Sequence, residues 1–291
     1  MKKVMITGAD GMLGTDVVAQ LSQRSVHRVI PLTIQDMDIT DDEQVQRVIT
    51  THRPDVIIHC AAYTAVDAAE ENSTLAFDIN AEATLRIAEA CLRIDAELIF
   101  ISTDYVFNGN TTKPYVETDK PEPLNIYGAS KLKGEEYVQT ILNRYKIVRT
   151  SWLSGIHCPY GLNFVEKILE AARTTGRLFA IDNQWACPTF TFDLSRELEL
   201  LLGMPDSGIF HITNQGICSC YEFACSIIRE FKIPDVTIMP VDRAHFPTGA
   251  KRPQYSALEN KRLKELGLPL LSSWQEALAA YHRLRLNSAS T

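Results

Sequence analysis

No apolar run in this 291-residue sequence approaches the roughly 20 residues needed to cross a bilayer. The opening Met1-Lys2-Lys3-Val4-Met5-Ile6-Thr7-Gly8 has a charged tip but reaches glycine too soon for a secretory signal peptide. It is expected to be the first strand of a cytoplasmic protein with no membrane partner. No block of Lys or Arg forms a stripe, and the formal net charge is −7, so nucleic acid is not an expected partner. Cysteine is sparse, scattered and odd in number, seven in all, which suits reduced thiols and not a disulfide framework. Cys218-Ser219-Cys220 with Cys225 lacks a second CxxC or a His pair, so burial and helix packing explain it better than a metal. There is no tandem repeat and no low-complexity segment.

What remains is ordinary globular composition, 45% hydrophobic and 22% charged. Five apolar runs stand out in the first half: Lys3 to Thr7, Arg28 to Leu32, Asp55 to Ala61, Glu97 to Thr103 and Tyr145 to Thr150. Continuous apolar strands suit a parallel sheet buried on both faces. Amphipathic stretches of helical length lie between them, most clearly Asp16 to Gln23, Asp41 to Thr51 and Leu75 to Arg93. Strand and helix in alternation predict an α/β, Rossmann-type doubly wound parallel sheet over residues 1–150.

Beyond residue 150 prolines and glycines punctuate a looser pattern. Helices are expected at Asn163 to Thr174, Phe192 to Leu202, Tyr221 to Phe231 and Ser273 to Leu286. Short strands are expected at Leu178 to Ile181, Ile209 to Thr213 and Thr237 to Pro240. Residues 151–291 therefore predict a smaller C-terminal, mainly substrate-binding lobe, with some segments returning to the first domain.

Gly8, Gly11 and Gly14 follow the first strand and open a helix in a GxxGxxG pattern. Such a loop turns tightly, lets backbone approach a pyrophosphate, and packs helix on strand. The helix N-terminus then offers free N–H groups to phosphate. Asp36 and Asp38 lie after the second strand with no basic residue beside them, which favours a ribose 2′-hydroxyl and tolerance of NADH. Asp38-Ile39-Thr40-Asp41 equally suits a loop and helix cap after a third strand, so the choice between NADH and NADPH stays open.

Tyr127 and Lys131 form a Tyr-x-x-x-Lys that shares one helix face. An ammonium beside a phenol stabilises the phenolate and brings its pKa towards neutrality. The motif alone is weak, and a solvated pair on a helix surface is the plain alternative. Its place after the glycine loop and after a strand ending in Ser102-Thr103 strengthens it, because ligands bind at carboxyl strand ends of such sheets.

At this point the chain resembles the extended short-chain dehydrogenase/reductases, and more narrowly the dTDP-4-dehydrorhamnose reductase family, over nearly its whole length. The marks are the glycine loop, Ala61-Ala62-Tyr63-Thr64-Ala65-Val66-Asp67 with Glu70, Asn80-Ala81, and Ser102-Thr103-Asp104-Tyr105-Val106-Phe107 with Gly109. They continue in Glu117-Thr118-Asp119, Pro123 to Gly128 with Lys131, Gly134 and Glu135, Arg149-Thr150-Ser151-Trp152, Asn163-Phe164, Asp182-Asn183-Gln184, Pro188-Thr189 and Arg252-Pro253. The resemblance implies NADPH-dependent reduction of the C4 keto group of a nucleotide-linked deoxysugar, with a nucleotide sugar as substrate.

It also implies residue roles. Tyr127 would donate the proton and Lys131 would tune it and hold the nicotinamide ribose. Thr103 would bond the keto oxygen, with Asp104 beside it. Trp152 would pack on the deoxysugar, and Asn163 and Arg252 would complete the substrate side. Asp10, Gly11 and Met12 would line the pyrophosphate between Gly8 and Gly14. Asp38 and Ile39 would meet the adenine, and Ala61, Ala62, Tyr63 and Ser102 the inner cofactor. Plain alternatives stand beside several of these: core packing for Trp152, a turn cap for Asp104, helix–sheet packing for Ala61-Ala62, and a surface ion pair for Arg252.

The sequence departs from the family at His59-Cys60, at Cys187 and across His157-Cys158-Pro159-Tyr160, which bears on the shape of the sugar pocket. Some family members use Mg²⁺ at a dimer contact. No matching carboxylate set is found, so no metal ligand is assigned and a homodimer is left open. The rival readings are a reductase of a related dTDP-4-keto-6-deoxysugar, a dehydratase or epimerase, and a non-catalytic NADP-binding regulatory subunit. Tyr105 stands where a dehydratase needs glutamate, and intact Thr103, Tyr127 and Lys131 give no reason to expect silence.

Overall fold

Alternating side chains along each buried strand go to two different cores, which explains the layered architecture of this computed structural model. The structure describes residues 1–23, 26–159, 161–246 and 248–288, and Tyr160 of the unusual segment noted above lies outside them. Strands β1 (Lys3–Thr7), β2 (Arg28–Leu32), β3 (Val56–His59), β4 (Glu97–Thr103) and β5 (Tyr145–Thr150) are all parallel to their neighbours. The strand Gly208–His211 pairs parallel with β5 and gives the six-stranded order Gly208–His211, β5, β4, β3, β1, β2. Strand order reverses beside β1, which leaves a crevice at the carboxyl ends of β1 and β3.

On one face Val4, Ile6, Ile58, Ile99 and Val148 pack with Leu13, Val17 and Leu21 of helix α1 (Met12–Ser22) and with Leu194, Leu198 and Leu201. On the other, Met5, Ile57, Leu98, Phe100 and Ile147 pack with Val45, Ile49, Ile87, Cys91 and Val138. Helices on both faces are what a parallel sheet requires.

Two local expectations are corrected. No strand intervenes between β2 and the helix Asp42–His52. Instead Asp38 accepts the backbone N–H and hydroxyl of Thr40, and Asp41 caps the helix by accepting from Gln44 N. The stretch Leu75 to Arg93 is not one helix either. It comprises a short helix Ser73–Phe77, a π-turn Asp78–Glu82 and the helix Ala83–Ile94. The π-turn carries Asn80, whose side chain accepts from Tyr63 N at 2.8 Å and donates to Tyr63 O at 3.1 Å and Ser130 Oγ at 2.9 Å. π-Turns occur where a side chain must be re-aimed, and this one ties the loop after β3 to the helix carrying Tyr127.

Past β5 a third core forms from Val165, Leu169, Phe190, Phe223, Ile227, Trp274 and Tyr281. The chain nevertheless crosses back repeatedly: Leu194, Leu198, Phe210, Leu263 and Leu271 all belong to the first core. No cysteine is paired. Cys218 is buried, and Ser219 forms a capping box with Glu222 that starts the helix Cys220–Glu230. Among the described residues no helix is long and apolar enough to cross a membrane.

Candidate active site

A cleft of about 770 Å³ runs along the carboxyl edge of the sheet. This is within the usual range for a ligand pocket. Gly8, Asp10, Gly11, Met12 and Gly14 line one part, with Asp38 and Ile39 beyond them. Ala61, Ala62 and Ser102 lie midway, and Thr103, Asp104, Tyr127, Lys131, Trp152 and Asn163 complete it. Sequence analysis placed two further residues here that the cleft wall does not include. Tyr63 is held by Asn80 through its backbone, and Arg252 turns its guanidinium to Asp67, with contacts of 2.9 and 2.6 Å. That pair is partly exposed, and Arg252 acts on the phenol of Tyr105, which does line the cleft.

The glycine loop is shaped by contact. A Cβ on Gly14 would lie 2.0 Å from the Gly8 carbonyl oxygen and 2.9 Å from Ala9 Cα. The start of α1 is capped by Gly11 with no side-chain hydrogen bond, in contrast to the Asp41, Asn125 and Asn163 caps of other helices. Its first N–H groups are therefore left for an anion at the cleft. This cradle fits the diphosphate of a dinucleotide. Gly14→Ala is expected to force α1 off the loop, costing about 1–3 kcal/mol of stability and weakening dinucleotide binding at least about tenfold. Thermal melts with and without NADPH read both effects. An undiminished NADPH-induced rise in melting temperature would contradict the contact argument.

The helix Ile126–Ile141 starts at Asn125, whose side chain accepts from Gly128 N at 2.7 Å. A Cβ on Gly128 would lie 2.1 Å from the Tyr105 carbonyl oxygen, so only glycine lets this helix start against the turn after β4. That contact brings Tyr127 to Thr103. The Thr103 hydroxyl stands close enough to act on the phenol.

Burial pushes the Tyr127 phenol up to about 12, Asp104 adds to the rise, and the Thr103 hydroxyl opposes it. Burial thus outweighs any lowering expected of a cation one helical turn away. The Lys131 ammonium lies 4.0 Å from the Phe100 ring centroid. Burial pushes Lys131 down to about 7, against the pull of Glu135 and Cys60. Burial likewise raises the Asp104 carboxyl to about 7.

Trp152, at φ 42°, stacks on Phe164 with ring centroids 6.3 Å apart. Asn163 caps the helix Phe164–Thr175 and donates to Gly155 O at 2.7 Å, so it shapes the wall as much as it faces the cleft. Ser102 donates to Glu135 Oε1 at 2.5 Å.

The departures from the family pattern divide. Cys60 and Cys158 line the cleft, whereas Cys187 is buried near Leu258. His59 is buried between the hydroxyls of Thr7 and Thr84, and burial pushes it down to about 3, so it is a neutral strut. Thr33, Met37 and Thr150 also line the cleft, and no individual site role was assigned to them from the sequence. The strand ends before Thr33 and at Thr150 were the available signal.

Comparisons with known proteins extend this picture. The family described as RmlD substrate binding domain matches residues 1–285. The chain is 39% identical over 281 residues to the spore coat polysaccharide biosynthesis protein SpsK of Bacillus subtilis, covering 97% of each. It is 37% identical over 298 residues to a dTDP-4-dehydrorhamnose reductase of Mycobacterium tuberculosis, covering 99% of this chain and 95% of that one. The crystal structure of a dTDP-4-dehydrorhamnose reductase from Bacillus anthracis in complex with NADP superposes with a TM-score of 0.92 at 38% identity, over 97% of this chain and 98% of that one.

Proposed function

The chain belongs to the RmlD substrate binding domain family, and from that premise we propose that it reduces the C4 keto group of dTDP-4-dehydro-L-rhamnose to give dTDP-L-rhamnose, using NADPH. The observation that carries this reading is the meeting of Thr103 and Tyr127 at the same cleft as the glycine loop. Bound there, the nicotinamide supplies the hydride. Thr103 polarises the keto oxygen, and Tyr127 gives its proton to the oxygen as negative charge develops. A phenol raised to about 12 holds its proton at neutral pH, which is the state a reductase needs. Lys131 anchors the cofactor ribose.

Gly8, Asp10, Gly11, Met12 and Gly14 hold the diphosphate, and Asp38 and Ile39 flank the adenine. Ala61, Ala62, Tyr63 and Ser102 complete the cofactor side. NADPH is favoured because the B. anthracis relative is described with NADP. Residues 151–291 serve mainly the sugar side: Trp152 offers an apolar face to a sugar lacking its 6-hydroxyl, and Asp104 and Asn163 border it. Arg252, placed by Asp67 behind Tyr105, meets the substrate diphosphate. Such an enzyme works where its cofactor and nucleotide sugars are found, in the cytoplasm.

The test is a pair of assays with NADPH, one with dTDP-4-dehydro-L-rhamnose and one with the free keto-sugar. The nucleotide-linked substrate is expected to turn over at least about a hundredfold faster, as a charge-assisted diphosphate contact implies, and to yield dTDP-L-rhamnose. Equal rates would remove the Arg252 role. A product epimeric at C4 would make the chain a reductase of a related keto-deoxysugar.

A further inference from the structure

The approach of the Thr103 hydroxyl to Tyr127 is the first link of a longer chain. Thr103 Oγ1 also donates to Asp104 Oδ1 at 3.1 Å. Asp104 Oδ2 accepts from Ser256 Oγ at 2.5 Å, across 152 residues of sequence. Thr103, Asp104 and Ser256 are all buried. The titratable groups facing Asp104 are the phenols of Tyr127 and Tyr105 and the thiol of Cys187, none of them a cation. Arg243 and Arg252 act on Tyr105, one layer further out. A carboxyl group with hydroxyl partners and no cation beside it keeps its proton to unusually high pH. Burial indeed raises Asp104 to about 7, with the Ser256 and Thr103 hydroxyls opposing the rise. Asp104 also lines the cleft, so it can exchange protons with water there.

We propose that Asp104, held in place by Ser256, returns a proton to Tyr127 through the Thr103 hydroxyl after each reduction. This rests on the keto-sugar reduction proposed above. In that reduction the phenol O–H bond breaks, its proton goes to the new alkoxide, and a phenolate remains. The Thr103 O–H proton passes to the phenolate as the Asp104 O–H proton passes to Thr103 Oγ1. The Asp104 carboxylate then takes a proton from water in the cleft. Each ketone thus consumes one hydride and one solvent proton, and every side chain regains its starting state. Ser256 is a positioning residue: it fixes Oδ2 so that Oδ1 faces Thr103.

Steady-state and single-turnover rates over about pH 6 to about pH 9, with NADPH and saturating dTDP-4-dehydro-L-rhamnose, test the relay. The working form of Asp104 is the acid, so kcat should fall as pH rises through about 7. The single-turnover rate uses the proton already on Tyr127 and should stay flat. Ser256→Ala removes a bond that favours the carboxylate, so the falling limb should move to higher pH. Asp104→Asn has no acidic proton: its later turnovers should slow at least about tenfold relative to its own first turnover, and the limb should vanish. A wild-type kcat that is flat over this range overturns the relay without need of any variant. So does Asp104→Asn if it only raises KM, or if it slows first and later turnovers alike. Absence of any turnover with the keto-sugar would instead remove the function beneath the proposal, and the proposal with it.

Discussion

Tyr127→Phe is expected to lower turnover by about 10²–10⁴, the usual worth of a positioned general acid, while NADPH binding is retained. The substitution removes only the hydroxyl. The ring keeps its edge-to-face contact with Tyr105, at 6.0 Å between centroids and 75° between planes. Lys131 and the glycine loop are untouched, so the cofactor should bind as before. The size of the loss follows from the local chemistry. The new alkoxide needs a proton from a group at hydrogen-bond distance, and Tyr127 stands beside the Thr103 hydroxyl that would share the keto oxygen. Steady-state turnover and a fluorescence titration with NADPH measure the two quantities separately. Near-wild-type turnover would mean that Asp104 or water protonates the alkoxide directly. Weakened NADPH binding would mean that the phenol contacts the ribose more than the sugar.

Glu135→Ala is expected to destabilise the fold by about 3–5 kcal/mol, because it strands a buried cation. Glu135 and Arg149 are both buried and paired side-on, with Nε–Oε1 at 3.0 Å and Nη2–Oε2 at 2.7 Å. Ser102 donates into the same carboxylate, and the Arg149 guanidinium lies 5.1 Å from the Phe107 ring centroid. Loss of the carboxylate leaves the guanidinium and the Ser102 hydroxyl without it. A second consequence reaches the active site. Glu135 pulls the Lys131 ammonium upward against burial, so without it the lysine is pushed further down and loses its charge at lower pH.

The double variant Glu135→Leu with Arg149→Leu separates these effects. Replacing both members of a buried pair with apolar groups is often nearly neutral, so stability should largely return. Lys131 still lacks its negative neighbour, so NADPH affinity at neutral pH should stay low and improve as pH falls. Urea midpoints and NADPH titrations at two pH values report the outcomes. Full recovery of both stability and affinity in the double variant would show that Glu135 has a structural role alone.

The buried strands were legible in the sequence because their apolar runs are continuous: β1, β2, β4 and β5 begin and end where the runs do. Tyr127 and Lys131 were legible because helical period puts them on one face, and Gly8 and Gly14 because the close packing of the loop admits no Cβ there. These are local properties, set within one turn or one strand. What sequence could not show depends on segments far apart in the chain. The helix expected from Leu75 to Arg93 is interrupted where Asn80 bonds Tyr63 and Ser130. Arg252 faces Asp67, 185 residues away. The phenol lies high because the fold buries Tyr127 beside Asp104. Periodicity and backbone sterics belong to short stretches and can be read from them. Desolvation and charge pairing depend on which remote side chains arrive, and so the tertiary structure alone decided the protonation and the partners of this site.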